Sequence, residues 1–185
     1  MIDDVISSCT DEMNDAIDSY KRALGKIRTG RANLSVLDSV RVDYYGTPTP
    51  LNQVAALAVP DPRLITIKPW EKNMIAEIEK TIRNSDLGMQ PQSDGEIVRL
   101  PIPPLTEERR RDLVKGAKTK AEDAKVAIRN ARRDANDMIK DLQKDGEIPE
   151  DDAKKATKRI QDETDAYIKK VDEVLATKEK EILEF

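Results

Sequence analysis

Seven residues between positions 111 and 132 recur on one edge of a single predicted helix: Arg111, Lys115, Lys118, Glu122, Lys125, Arg129 and Arg132. Steps of three and four place them in one row along that helix. Only Glu122 breaks the positive sign, and at ~1.5 Å per residue the row is on the order of 30 Å long. A line of cations of that length suits a nucleic-acid phosphate backbone. Arg110 and Arg133 lie close to its two ends. Arg129, Arg132 and Arg133 are all arginine, whose planar fork grips phosphate oxygens in pairs where lysine offers only a point charge. A plainer reading is a charged flank that solubilises a helical bundle and pairs with acids on a neighbouring helix. Against it, Asp112, Asp123, Asp134 and Asp137 fall mainly at other positions of the repeat.

Other chemistry is poorly represented. Histidine is absent, which removes the commonest metal ligand and the side chain that most readily exchanges protons near neutral pH. There is no Gly-rich phosphate loop, no nucleophile elbow and no metal-binding spacing of Cys and His. The many Asp and Glu residues lie on predicted helices with Lys or Arg nearby, as solvated faces do. The expectation is a protein that is not an enzyme and needs no metal or cofactor. Cys9 is the single cysteine and sits on an apolar helix face, where a buried, inert thiol is expected. Met1-Ile2-Asp3-Asp4 has no basic flank, and no stretch approaches the ~20 apolar residues that span a bilayer. These features predict a cytoplasmic protein with no membrane partner. The net charge of −4 conceals an asymmetry: residues 105–145 carry 12 Lys/Arg against 9 Asp/Glu, and residues 150–185 carry 8 against 11. A polyanion responds to that distribution rather than to its sum.

The elements that must position the basic row can be read from hydrophobic periodicity. Charged residues are 37% of the chain and aromatics 3%, which favours long amphipathic helices with thin apolar seams. Ile2, Ile6, Cys9, Met13, Ala16, Tyr20, Leu24 and Ile27 predict a helix over 1–29, with Gly30 as its stop. Residues 31–104 predict a small β/α module. It has strands at 40–44, 53–59, 64–68 and 97–100, and a short helix within 70–85. Turns fall at Gly46-Thr47-Pro48-Thr49-Pro50, at Pro60-Asp61-Pro62 and over 88–95. Thr106 then caps the long helix, with Glu107 and Glu108 in its first turn. That helix carries the seam Val114, Ala117, Ala121, Ala124, Ile128, Ala131, Ala135, Met138 and Leu142. Gly146 ends it and Pro149 restarts the chain. A third seam follows: Ala153, Ala156, Ile160, Thr164, Tyr167/Ile168, Val171, Val174/Leu175, Ile182 and Phe185.

Three seamed helices bury their stripes together, so the predicted class is α+β with two domains. Residues 1–30 and 105–185 form a long three-helix bundle, and 31–104 form an inserted β/α domain. The chain crosses between them near Gly30 and Ala32 and again at Pro101, Pro103, Pro104 and Leu105, a pair of short segments suited to a hinge. Arg28 and Arg31 flank Gly30, either as helix-end cations or as an extension of the basic surface to the hinge. Tyr44-Tyr45 offers one ring to the core and one to stacking. Trp70 is suited to packing or a partner contact.

Several blocks resemble a known family. Ile27-Arg28-Thr29-Gly30-Arg31-Ala32, Asp43-Tyr44-Tyr45-Gly46-Thr47-Pro48-Thr49-Pro50, Ser85-Asp86-Leu87-Gly88, Pro104-Leu105-Thr106-Glu107-Glu108-Arg109-Arg110 and Ile128-Arg129-Asn130-Ala131-Arg132-Arg133-Asp134-Ala135-Asn136 resemble the bacterial ribosome recycling factors, in that family's order. The resemblance implies an L-shaped, tRNA-like monomer with the bundle as long arm and the β/α domain as short arm. It implies binding to the ribosome after termination. Elongation factor G and its GTP would then help split the subunits and release mRNA and deacylated tRNA. Arg129, Arg132 and Arg133 are the residues it implies for large-subunit rRNA, followed by Arg28, Arg31 and Arg110. Arg111, Lys118 and Lys125 join them from the basic row alone. The competing reading is a helical adaptor or chaperone-like protein that binds no rRNA. An enzyme in the 31–104 module would require a pocket with convergent polar groups.

Overall fold

The computed structural model describes residues 1–184. They fall into two compact units: Met1–Ile27 with Glu107–Glu184, and Arg28–Thr106.

The first unit is a bundle of α1 (Ile2–Gly25), α4 (Glu107–Lys144) and α5 (Glu150–Glu184). α1 buries Ile6, Cys9, Met13, Ile17, Tyr20 and Leu24, steps of three and four that keep one stripe on the core. It stops at Gly25, five residues before the expected stop at Gly30. Lys26 remains right-handed, and the Ile27 N–H closes on the Leu24 carbonyl at 3.0 Å. Ile27 thus still packs on the core from outside the helix. The expected stripe also shifts from Ala16 to Ile17.

On α4 the buried residues are Ala117, Ala121, Ala124, Ile128, Ala131, Ala135 and Ile139. Met138, expected in the seam, is 50% exposed and Ile139 takes its place. The cause is drift: a strict seven-residue repeat slips against 3.6 residues per turn. Because the seam is mostly alanine, side chains of α1 reach the α4 backbone. Cys9 Sγ lies 3.5 Å from the Ala131 carbonyl, and the Tyr20 hydroxyl donates to the Ala117 carbonyl at 3.4 Å. Burial pushes the Cys9 thiol up to about 11, with Glu12, Glu163 and Asp134 adding to the rise. Cys9 is therefore a packed thiol and not a nucleophile. α4 ends in a Schellman turn. Gly146 has φ +78, its N–H bonds to the Gln143 carbonyl, and the Glu147 N–H bonds to the Leu142 carbonyl. α5 buries Ala153, Ala156, Ile160, Thr164, Tyr167, Val171 and Ile182. Phe185, the last residue of the expected seam, lies outside the described residues.

The second unit pairs β1 (Arg41–Tyr44) with β2 (Thr47–Pro50) as a hairpin. A four-stranded antiparallel sheet has the order β3 (Ala55–Asp61), β4 (Leu64–Pro69), β6 (Val98–Pro101), β5 (Gln92–Ser93). A single helical turn, α2 (Leu51–Val54), precedes β3, and α3 (Ile75–Arg83) buries Ile75, Ile78 and Ile82 against the sheet. Of the turn expected at Gly46–Pro50, Gly46 does turn the chain, while Thr47–Pro50 is a strand. The hairpin turns within Tyr45-Gly46, both at positive φ, and the Asp43 carboxylate accepts the Gly46 N–H at 2.7 Å. Pro48 and Pro50 are tolerated because β2 has one partner. Pro60 and Asp61 likewise belong to the edge strand β3, beyond an irregularity in register after Ala58. The strand expected from residue 53 begins only at Ala55.

The crossings are also shorter than expected. Pro101 ends β6 opposite Leu64, and the Ile102 N–H bonds to the Arg63 carbonyl at 2.8 Å. The Ala32 N–H bonds to the Pro62 carbonyl at 2.6 Å. Ala32 and Pro101, assigned above to the hinge, are thus fixed to one turn of the second unit.

Each unit has its own core cluster. Excising 28–106 and joining Ile27 to Glu107 with a short linker should leave a helical protein that melts cooperatively. Circular dichroism tests this, and a random-coil spectrum would contradict it.

Candidate nucleic-acid interface on α4

The basic row lies on the flank of α4 beside α5. The heptad register of the two antiparallel helices decides what each cation meets. Lys118 Nζ lies 3.6 Å from Glu179, and Lys125 Nζ lies 2.6 Å from Asp172 and 3.5 Å from Glu122. The Lys125 side chain is 16% exposed, and the hydrogen bond it donates to Asp172 raises its pKa, offset in part by burial. Lys118 and Lys125 were candidate phosphate ligands. The structure gives both to interhelical ion pairs, as the plainer reading of the row expects. Glu122, which interrupted the row, adds a second contact to Lys125 within α4 itself.

Beyond Lys125 the pattern changes. Arg132 Nη1 donates to Gln161 Oε1 at 3.2 Å, and Gln161 Nε2 donates to Asp165 Oδ1 at 2.8 Å. Arg132 is half-buried and makes no ion pair among the described residues. Arg129 and Arg133 are exposed, and neither has an ion pair among the described residues. These three guanidiniums therefore share one end of the α4 flank with their charge uncompensated. The cluster presents guanidinium donors with no carboxylate partner among the described residues.

The other candidates divide. Arg110 is half-buried and donates to the Leu183 carbonyl at 2.7 Å, tying the start of α4 to the end of α5. Arg111 pairs with Glu107 one turn back on the same exposed face. Arg28 and Arg31 are exposed and belong to the second unit. Tyr44 packs on the second unit's core, while Tyr45 is 72% exposed. Both hydroxyls donate to the Glu71 carboxylate, at 3.0 and 2.9 Å. Trp70 is 67% exposed and so is not a packing residue. Gln161 and Asp165 went unnoticed in sequence. Their signal is the heptad spacing of 118, 125 and 132 against 179, 172 and 165.

No described residues form a cluster of three or more potential metal ligands, and no described helix is long and apolar enough to cross a membrane.

The two classes of cation predict different energetics. Lys125→Met should lower bundle stability by about 0.5–1 kcal/mol, the range of partly exposed ion pairs. Arg133→Met should leave stability unchanged. Urea unfolding of both variants checks this.

Residues 20–183 match the family model described as "Ribosome recycling factor". The ribosome-recycling factor of Sorangium cellulosum is 55% identical over 184 residues, covering 100% of both chains. That of Clostridioides difficile is 55% identical and covers 94% of each. A solution structure of a ribosome recycling factor is 37% identical, with a TM-score of 0.71, and covers 100% of this chain and 98% of that one. A second structure describes models of the Thermus thermophilus ribosome recycling factor and Escherichia coli elongation factor G bound to the post-termination complex. It is 42% identical, with a TM-score of 0.61 and 99% coverage of both chains. An α4 flank ending in uncompensated arginines, on a bundle that carries an inserted sheet unit, thus belongs to a chain of the ribosome recycling factor family.

Proposed function

We propose that this chain binds the ribosome after termination. With elongation factor G and GTP it then promotes subunit dissociation and release of mRNA and deacylated tRNA. The observation that carries the reading is the set Arg129, Arg132 and Arg133, three guanidiniums on one face of α4 with no carboxylate against them. The large-subunit rRNA supplies the phosphates they lack. Support for the setting comes from the solved relative described in a post-termination complex with elongation factor G. The chain acts in the cytoplasm as a monomer and is not itself an enzyme, since elongation factor G hydrolyses the GTP. Lys118 and Lys125 serve the bundle and contribute little to the contact, because each already has a carboxylate partner.

Splitting the subunits also requires movement. With Ala32 and Ile102 tied to the turn at 62–63, the pivot falls on residues 28–31 and 103–106. Pro103 and Pro104 limit the swing by fixing φ near −65°.

Two measurements test this. Arg129→Ala and Arg133→Ala should each weaken binding to 50S subunits and lower the slope of log K against log salt by about 1, with no loss of melting temperature. Unchanged affinity at two salt concentrations would return the row to its solvated reading. Replacing both Pro103 and Pro104 by Gly should spare binding and slow subunit splitting in the presence of elongation factor G. Splitting at the normal rate would make the prolines dispensable.

A further inference from the structure

The flank where α4 meets α5 repeats every seven residues, and its third repeat differs from the first two. Lys118 faces Glu179 and Lys125 faces Asp172. One heptad further along both antiparallel helices, Arg132 corresponds to Asp165. The expected third ion pair is absent. Gln161 stands between the two groups, accepting from Arg132 Nη1 at 3.2 Å and donating to Asp165 Oδ1 at 2.8 Å. The amide orientation follows from its partners. A carboxylate only accepts and a guanidinium only donates, so Nε2 must face Asp165 and Oε1 must face Arg132.

We infer that Gln161 is a positioning residue: a neutral spacer that holds Asp165 away from Arg132 and leaves the guanidinium charged, oriented and available to an rRNA phosphate. A carboxylate against Arg132 would cancel the positive potential at that point and occupy the donors that grip a phosphate. An amide oxygen fixes one N–H and leaves the other donors and the full charge. Asp165 in turn accepts from the amide Nε2, which anchors the far side of the amide. The inference rests on the binding role proposed for Arg132, and names the α5 residues that serve it.

The test uses the full chain and 50S subunits. Gln161→Ala frees Asp165 to pair with Arg132, and should lower affinity about 3- to 10-fold, the worth of one oriented hydrogen bond. Adding Asp165→Asn should recover at least half of that loss, which a merely structural defect would not allow. In an Arg132→Ala background, Gln161→Ala should have no further effect. Unchanged affinity on Gln161→Ala, an equal loss in the Arg132→Ala background, or no recovery with Asp165→Asn would each overturn the inference. The Arg132 Nε–Hε resonance of the free protein gives a reading that needs no ribosome. It should move in Gln161→Ala and move again when Asp165→Asn removes the new ion pair. A signal unmoved at either step overturns the spacer. If Arg132→Ala itself left affinity unchanged, the binding role would fail, and the resonance alone would decide the spacer.

Discussion

The alanine seam of α4 fixes the geometry of the bundle. Ala117, Ala121, Ala124, Ala131 and Ala135 let α4 lie close enough to α1 for a thiol and a phenol of α1 to touch its carbonyls. Alanine buries little area of its own, so the volume between the helices is filled from the other side. Met13, Ile17, Tyr20 and Leu24 come from α1, and Ile160, Tyr167 and Val171 from α5. Large residues against small ones leave few alternative rotations about the helix axis, because turning α4 would push a charged residue into the space an alanine occupies. The outward direction of every cation on α4 is a consequence of that seam.

With the rotation fixed, the interhelical register determines which cations are neutralised. Partners at 118/179 and 125/172 keep a seven-residue phase, and each pair is partly screened from water by the flank itself. Such pairs contribute modestly to stability. The same phase would neutralise Arg132, and there an amide replaces direct contact with the acid. One end of the flank therefore stabilises the bundle and the other keeps charge available, although both are built from the same repeat.

How much of this was legible in the sequence depended on the range of the interaction. The three seams, the split into bundle and insertion, and the arginine cluster follow from local spacing and composition. Met138 and Ile139 mark the limit of that reading: a four-heptad extrapolation drifts by one residue, and only packing decides which side chain is inside. The early end of α1 at Gly25 was hidden because Ile27 keeps the apolar phase after the helix has stopped. Pro48, Pro50 and Pro60 suggested turns, yet all lie on strands with a single partner, where a missing N–H is tolerated. Edge position is a property of the sheet and not of the residues. Among the cations, type and spacing placed Lys118, Lys125 and Arg132 in one class. Only the pairing of α4 with α5, between partners about 30 to 60 residues apart in the chain, separates them.

The second unit constrains the crossings by the same kind of backbone logic. Pro62 and Arg63 sit in the turn between β3 and β4, and their carbonyls accept from Ala32 and Ile102. Those carbonyls would otherwise point to water at a sheet end. Using them holds both the entering and the leaving strands of chain to one turn of the unit. The sequence between Gly25 and Ala32 then has no helix to continue and no ladder to join, and the segment after Ile102 reaches α4 through Pro103 and Pro104. Pro103 and Pro104 fix φ near −65° on that side. Each unit keeps a core cluster of its own, one built on the helical seams and the other on the sheet and α3.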